Sequence, residues 1–207
     1  SMSEFKMFSF EQSISNYGDK SLKPFEITLS SIENSPTVYL GGNADRVDIY
    51  EKNGITYVRV IDYKTGGIDS SSEAFYTGNK LQLYLYMNAF VRNGKKPAGA
   101  YYYSVKDEFS SDGVLPAMEG RTLGEVEIAY ATDSELAETS KSSVVKLAFK
   151  KDGDFTQHSN TLTEEEFNCH LQYSLRVSER GVDEMRSGFI TPTPYEGACK
   201  YCTFGAM

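Results

Sequence analysis

The sequence predicts an α/β sandwich built around a mixed sheet. A β meander folds about Asn53-Gly54, a helix and a strand follow, and a long capped helix comes after further β-patterned residues. Residues 24–30, "PFEITLS", read as a first strand. "TVYLGGNADRVDIYEKNGITYVRVIDYKTG" then reads as two long strands, because Asn-Gly between β-patterned runs is a strong hairpin signal. A helix is expected from about Asn79 to Arg92, with Gly94 placed to stop it. "AGAYYYSVKD" is apolar and aromatic on both faces, as a central strand should be. Residues 107–143 are polar with scattered Gly and Ser, and read as an insertion or mobile loop. "SVVKLAFKKDGDF" reads as a further strand and turn. The last long helix starts with a capping box, Thr163 with Glu166 three residues on, and Cys169 inside it reads as a small buried apolar residue.

The 207 residues are 40% hydrophobic, enough for one sizeable core. Ser1-Met2 reads as a cloning scar, residues 3–188 as one domain, and 189–207 as a Pro- and Gly-broken C-terminal segment. No apolar run approaches the length of a membrane span and no signal peptide is evident, so no membrane partner and a cytoplasmic protein are expected. Three Cys argue against a disulfide scaffold. A net charge of −8 disfavours a free-standing nucleic-acid binder that relies on a basic face. It leaves open an enzyme that meets phosphate through metal ions, or a part of a larger assembly.

A two-residue turn at Asn53-Gly54 fixes the hairpin register. Glu51 then faces Thr56, Ile49 faces Val58, and Val47 faces Val60, with Asp48 opposite Arg59 on the other face. The next pair is Asp45 opposite Asp62. Opposed residues have Cβ atoms about 4.5–5.5 Å apart, so two carboxylates there repel. Either both splay into water, or a cation sits between them. Lys64, in phase with Asp62, and the preceding Gly42 favour a site, and an oxygen-rich site with few carboxylates suits Mg²⁺ or Mn²⁺. Gln82 and Tyr86 stand i and i+4 on the following helix and share a face. By spacing alone Tyr86 reads as core and Gln82 as surface.

"GNADRVD", "VIDYKTG" and "LQLYLY" resemble, in order, the G-x-x-D-R, D-x-K and Q-x-x-x-Y signatures of RecB-type nucleases of the PD-(D/E)XK superfamily. The tail "ITPTPYEGACKYCTF" resembles the end of the iron–sulfur nuclease domain in the AddB component of AddAB helicase–nucleases. The resemblance covers roughly residues 20–105 and 185–204, and implies a restriction-endonuclease-like fold. It implies metal-binding roles for Asp45, Asp62 and the Tyr63 backbone carbonyl. Lys64 would orient the attacking water or stabilise charge on phosphate, and Gln82 and Tyr86 would hold the helix against the substrate backbone. The implied chemistry is hydrolysis of DNA phosphodiesters, with the metal as Lewis acid and generator of the nucleophile. An AddA-type helicase–nuclease subunit is the implied partner, and double-strand break processing the implied setting.

The same resemblance implies a metal-ligating His upstream of the first strand and a four-cysteine 4Fe-4S cluster. His158 and His170 lie far downstream, and Cys199-x-x-Cys202 supplies only two of the thiols. The expectation is therefore an excised piece of a larger subunit, with weak or no activity alone and neither zinc nor an intact cluster in this chain. Two other readings stay open: a CRISPR-associated RecB-like exonuclease, and an inactive nuclease-fold scaffold.

Overall fold

The fold is that of a computed structural model, which describes residues 3–27, 37–66, 71–105, 118–192 and 194. Ser1-Met2, residues 28–30 of the expected first strand, residues 107–117 of the expected insertion, Cys199 and Cys202 lie outside these.

Asn53 (φ 51°) and Gly54 (φ 76°) form the turn between β4 (Gly42–Lys52) and β5 (Ile55–Lys64). Both turn residues need positive φ, which Asn and Gly tolerate best, and the strands pair antiparallel from Lys52–Ile55 onward. The chain then forms a short helix, α1 (Ser72–Tyr76), and a second, α2 (Gln82–Val91), before β6 (Lys96–Ser104) returns parallel to β5. A parallel neighbour requires such a helical crossover. With β1 (Lys6–Ile14), β7 (Met118–Leu123) and β8 (Thr161–Leu162), these strands make one six-stranded mixed sheet in the order β1-β4-β5-β6-β7-β8. The strand expected first is β2 (Phe25–Ile27), which pairs instead with β3 (Val38–Leu40) in a separate ribbon.

Helices cover the sheet on both faces. On one, α2 and α5 (Glu164–Arg186) bury Leu83, Met87, Phe90, Phe167 and Leu171 against Val58, Val60 and Ala100. Full burial of each large side chain is worth about 1.5–3 kcal/mol. Helix α2 is buried over most of its circumference and has no side-chain N-cap bond, so packing rather than capping holds it. Helix α5 has the expected capping box: Thr163 N–H donates to Glu166 Oε2 at 2.8 Å, and Glu166 N–H donates to Thr163 Oγ1 at 3.2 Å. Asn88 ties the two helices by donating to Leu171 O (2.9 Å) and Ser174 Oγ (3.2 Å). On the opposite face, Ile61, Tyr101 and Met118 pack against Ala129 of α3 (Val126–Thr132), Leu136 of α4 (Leu136–Thr139), Val145 and Leu147.

Strand β1 carries no readable sequence signal, because a bulge between Met7 and Ser9 breaks its alternation, and three expectations need correction. The described part of the segment expected as insertion or loop, 107–143, forms β7, α3 and α4, whose shortness hides any periodicity. "SVVKLAFKKDGDF" has its turn, at Gly153 (φ 89°), but makes only isolated bridges such as Met118–Val145 and Phe149–Phe155. Cys169 is exposed, since the buried stripe of α5 runs through Phe167, Leu171 and Ser174.

Candidate active site

Strands β4 and β5 pair from the turn only as far as Arg46 opposite Ile61. The expected opposition of Asp45 and Asp62 therefore does not form. Hydrogen-bonded pairs alternate along the hairpin, so the next would join Tyr63 to Ala44. Instead the Tyr63 N–H donates to Asp45 Oδ2 at 2.8 Å. The strands part where two carboxylates would have met, and one carboxylate takes over a strand hydrogen bond. In a strand, N–H and C=O of a residue point the same way, so the Tyr63 carbonyl also faces the Asp45 side.

Asp62 follows Val58 and Val60 on the α2 face of the sheet and is 2% exposed. Lys64 Nζ lies 2.5 Å from Asp62 Oδ2. Its approach lies outside hydrogen-bond alignment, so Oδ2 has a counter-charge but no directed donor. Burial raises the Asp62 carboxyl above the usual range, Lys64 pulls it back, and Asp45 adds to the rise. Lys64 also donates to Gln82 Oε1 at 3.4 Å, and Gln82 Nε2 donates to Tyr86 Oη at 3.0 Å. A lysine only donates, so Gln82 must offer it the carbonyl and turn its amide to Tyr86. Tyr86 in turn lies against β4: a Cβ on Gly42 would come within 2.8 Å of its hydroxyl. The structure thus brings Asp62, Lys64, Gln82, Tyr86 and Gly42 into one contact chain, with Asp45 attached through Tyr63.

Two neighbours went unassigned in the sequence. Arg46, next to Asp45, faces the other side of the sheet and binds Asp48, with Nε 2.8 Å from Oδ1. Lys80 lies with Nζ 5.5 Å from the centroid of the Tyr102 ring, which Lys64 Nζ also approaches at 5.6 Å. Its position two residues before Gln82 was the available signal. Among the described residues no cluster of three or more His, Cys, Asp or Glu occurs. Two carboxylates, Asp45 and Asp62, and the Tyr63 backbone carbonyl stand on this side of the hairpin end.

A mixed sheet between helices, with Asp-x-Lys at the parted end of a hairpin and a Gln-x-x-x-Tyr helix braced against it, is the layout of a restriction-endonuclease-like fold. The chain belongs to the PD-(D/E)XK nuclease superfamily, whose family model matches residues 2–207. Its relatives are the B subunits of ATP-dependent helicase/deoxyribonucleases. It is 31% identical over 207 residues to the one from Caldanaerobacter subterraneus subsp. tengcongensis, covering 89% of this chain and 17% of that protein. Its counterpart from Lachnoclostridium phytofermentans is 30% identical over 202 residues, covering 81% of this chain and 17% of that protein. That of Bacillus cereus (strain ATCC 14579) is 28% identical over 216 residues, covering 92% and 18%. The chain thus spans less than a fifth of the length of these relatives.

Proposed function

We propose that this chain is the nuclease domain of an AddB-type helicase–nuclease subunit and hydrolyses DNA phosphodiesters, as an exonuclease, with Mg²⁺ or Mn²⁺. The observation that carries this is the buried Asp62 Oδ2, which has no aligned donor and sits beside Lys64 at the point where β4 and β5 part. A buried carboxylate held by a single misaligned lysine keeps coordination capacity, which a divalent cation can use.

The donor set fits such an ion. Mg²⁺ keeps several waters and needs only one or two protein carboxylates together with substrate phosphate oxygens. Asp45, Asp62 and the Tyr63 carbonyl would hold it, and when bound it supplies Lewis-acid activation of the phosphate and the attacking water. Asp45 remains fixed by its bond from Tyr63 N–H, so its free oxygen is already oriented. Lys64, aimed by Asp62 on one side and Gln82 on the other, stabilises negative charge that develops on the phosphate. Gln82 and Tyr86 set the position of that ammonium.

The setting is inferred from the relatives, whose names describe an ATP-dependent helicase/deoxyribonuclease. DNA unwound by helicase motors is the substrate of this reading, and an AddA-type subunit is its partner. The role belongs to double-strand break processing and recombination in the cytoplasm. Among the described residues no helix is long and apolar enough to cross a membrane. Cys199 and Cys202 are assigned to an iron–sulfur cluster completed in the full-length subunit.

Cleavage of single-stranded DNA by the full-length subunit, with Mg²⁺ or Mn²⁺, tests the proposal. Asp62→Ala and Lys64→Ala should each abolish or sharply reduce it. Equal activity in wild type and both variants would assign the cutting to a contaminant and overturn the reading.

A further inference from the structure

The Tyr102 ring has Lys64 on the catalytic side and also borders a second, narrower cleft. That cleft lies between the start of α2, α1 and β7, and its walls include Lys80, Arg121, His170, Ser72 and Tyr102. Among the described residues no Asp or Glu lines it, in a chain whose net charge is −8. Lys80 is half-buried, and the described residues give it neither a carboxylate partner nor a hydrogen bond. Arg121 has only long bonds, to Gly120 O and Ser72 Oγ, both 3.4 Å. Both bury their stems and keep their charged heads at the cleft mouth, where water or an anion can meet them. The two flank a cleft with no lining carboxylate among the described residues, which suits an anion.

Register places the cleft beside the catalytic residues. Asp62 pairs with Tyr102 across β5 and β6, and Ala100, two residues back on the same face, pairs with Arg121 of β7. Lys80 and Lys64 approach the same Tyr102 ring, with Nζ 5.5 and 5.6 Å from its centroid. The cleft holds about 30 Å³. Since one water needs about 10–15 Å³, that is room for a pair of small polar atoms such as phosphate oxygens.

We propose that Lys80 and Arg121 form a phosphate subsite that grips the backbone of a nucleic-acid strand one phosphate away from the scissile one. The inference rests on the nuclease reading for the identity of its ligand. Lys80 and Arg121 are positioning residues here: they hold the strand in register with Asp62 and Lys64 and take no part in the bond change. The rings of Tyr102 and Phe75 wall the cleft and keep the cations partly out of water, where a phosphate contact is stronger.

The test is a salt titration of fluorescein-labelled oligothymidylate binding, in EDTA, by anisotropy. It compares the parent chain, Lys80→Gln/Arg121→Gln, Lys80→Arg, and Lys151→Gln as an exposed control. Each single-strand phosphate contact contributes about 0.7 to the slope of log K against log salt, so the double variant should lose about 1.4. Lys80→Arg and Lys151→Gln should keep the parent slope. In the full-length subunit with Mn²⁺, the double variant should raise KM for cleavage about tenfold with kcat held, the signature of lost uniform binding. An unchanged slope in the double variant overturns the subsite, as does a parent chain that does not bind the oligonucleotide.

The two ideas fail separately. Asp62-dependent cleavage with an unchanged slope removes the subsite alone. A slope that falls as expected, with no Asp62-dependent cleavage in the full-length subunit, removes the nuclease reading and leaves an anion-binding cleft.

Discussion

The same hairpin buries two carboxylates, Asp48 and Asp62, on opposite faces of the sheet, and they are treated very differently. Asp48 is fully buried and held by two guanidiniums: Arg46 through both oxygens (2.8 and 3.1 Å), and Arg59 through Nε and Nη2 (2.8 Å each). Arg59 is itself buried, and its guanidinium lies 4.5 Å from the Phe5 ring. Asp62 has one lysine, poorly aligned, against its Oδ2. A fold that can satisfy a buried carboxylate this thoroughly leaves another undersatisfied a short way along the same hairpin. Asp48 closes the sheet, whereas in the proposed reading Asp62 is held ready for a ligand.

The difference can be broken from either side. Asp48→Ala strands a buried arginine and should destabilise the fold by about 3–5 kcal/mol, read by urea unfolding. A cost near zero would make the ion cluster ornamental and remove half of the contrast. Asp62→Asn should do the reverse. Cleavage by the full-length subunit should fall by about a thousandfold, equivalent to about 4 kcal/mol of transition-state stabilisation, with the fold intact. Lys64→Ala should cost less, about a hundredfold in kcat.

Stability against pH offers a finer probe. Burial raises the folded-state value of Asp62, so the folded chain holds that proton more tightly than the unfolded chain does. The contribution of Asp62 is therefore greatest below its unfolded value, near 3.9, and is lost as pH rises through the raised folded value. In EDTA at neutral pH, Asp62→Asn should accordingly raise Tm, by about 2–4 °C for each kcal/mol relieved. A lower Tm in the variant would mean that the Lys64 pair outweighs desolvation. The smallest effect expected is that of Gly42→Ala, whose new methyl displaces Tyr86 and loosens Gln82 and Lys64 behind it. Overpacking of this kind costs about 1–3 kcal/mol, and kcat should drop while the hairpin register stays fixed.

The two carboxylates were also unequally legible in the sequence. Asn53-Gly54 alone set the register that pairs Asp48 with Arg59, because a two-residue turn leaves no freedom in the count. The same count carried to Asp45 and Asp62 was one pair too long, since ladder geometry yields to repulsion between like charges at an open strand end. Asp62, Lys64 and Gln82 do converge as the motif order implied. The relay through Gln82 to Tyr86 and the Gly42 seat needed coordinates, because helical spacing fixes a shared face and not what that face touches. The capping box of α5 was readable because it is local. Strand β1 was not, because Met7, Phe8 and Phe10 are all exposed on a bulged edge and give no buried alternation to find.

Mn²⁺ binding in the absence of DNA, followed by electron paramagnetic resonance, addresses the central claim that Asp62 is kept for a cation. The parent chain should bind Mn²⁺ saturably, and Asp62→Asn should lose that binding while its unfolding curve shows an intact fold. Equal Mn²⁺ affinity in the parent and in Asp62→Asn would contradict the account.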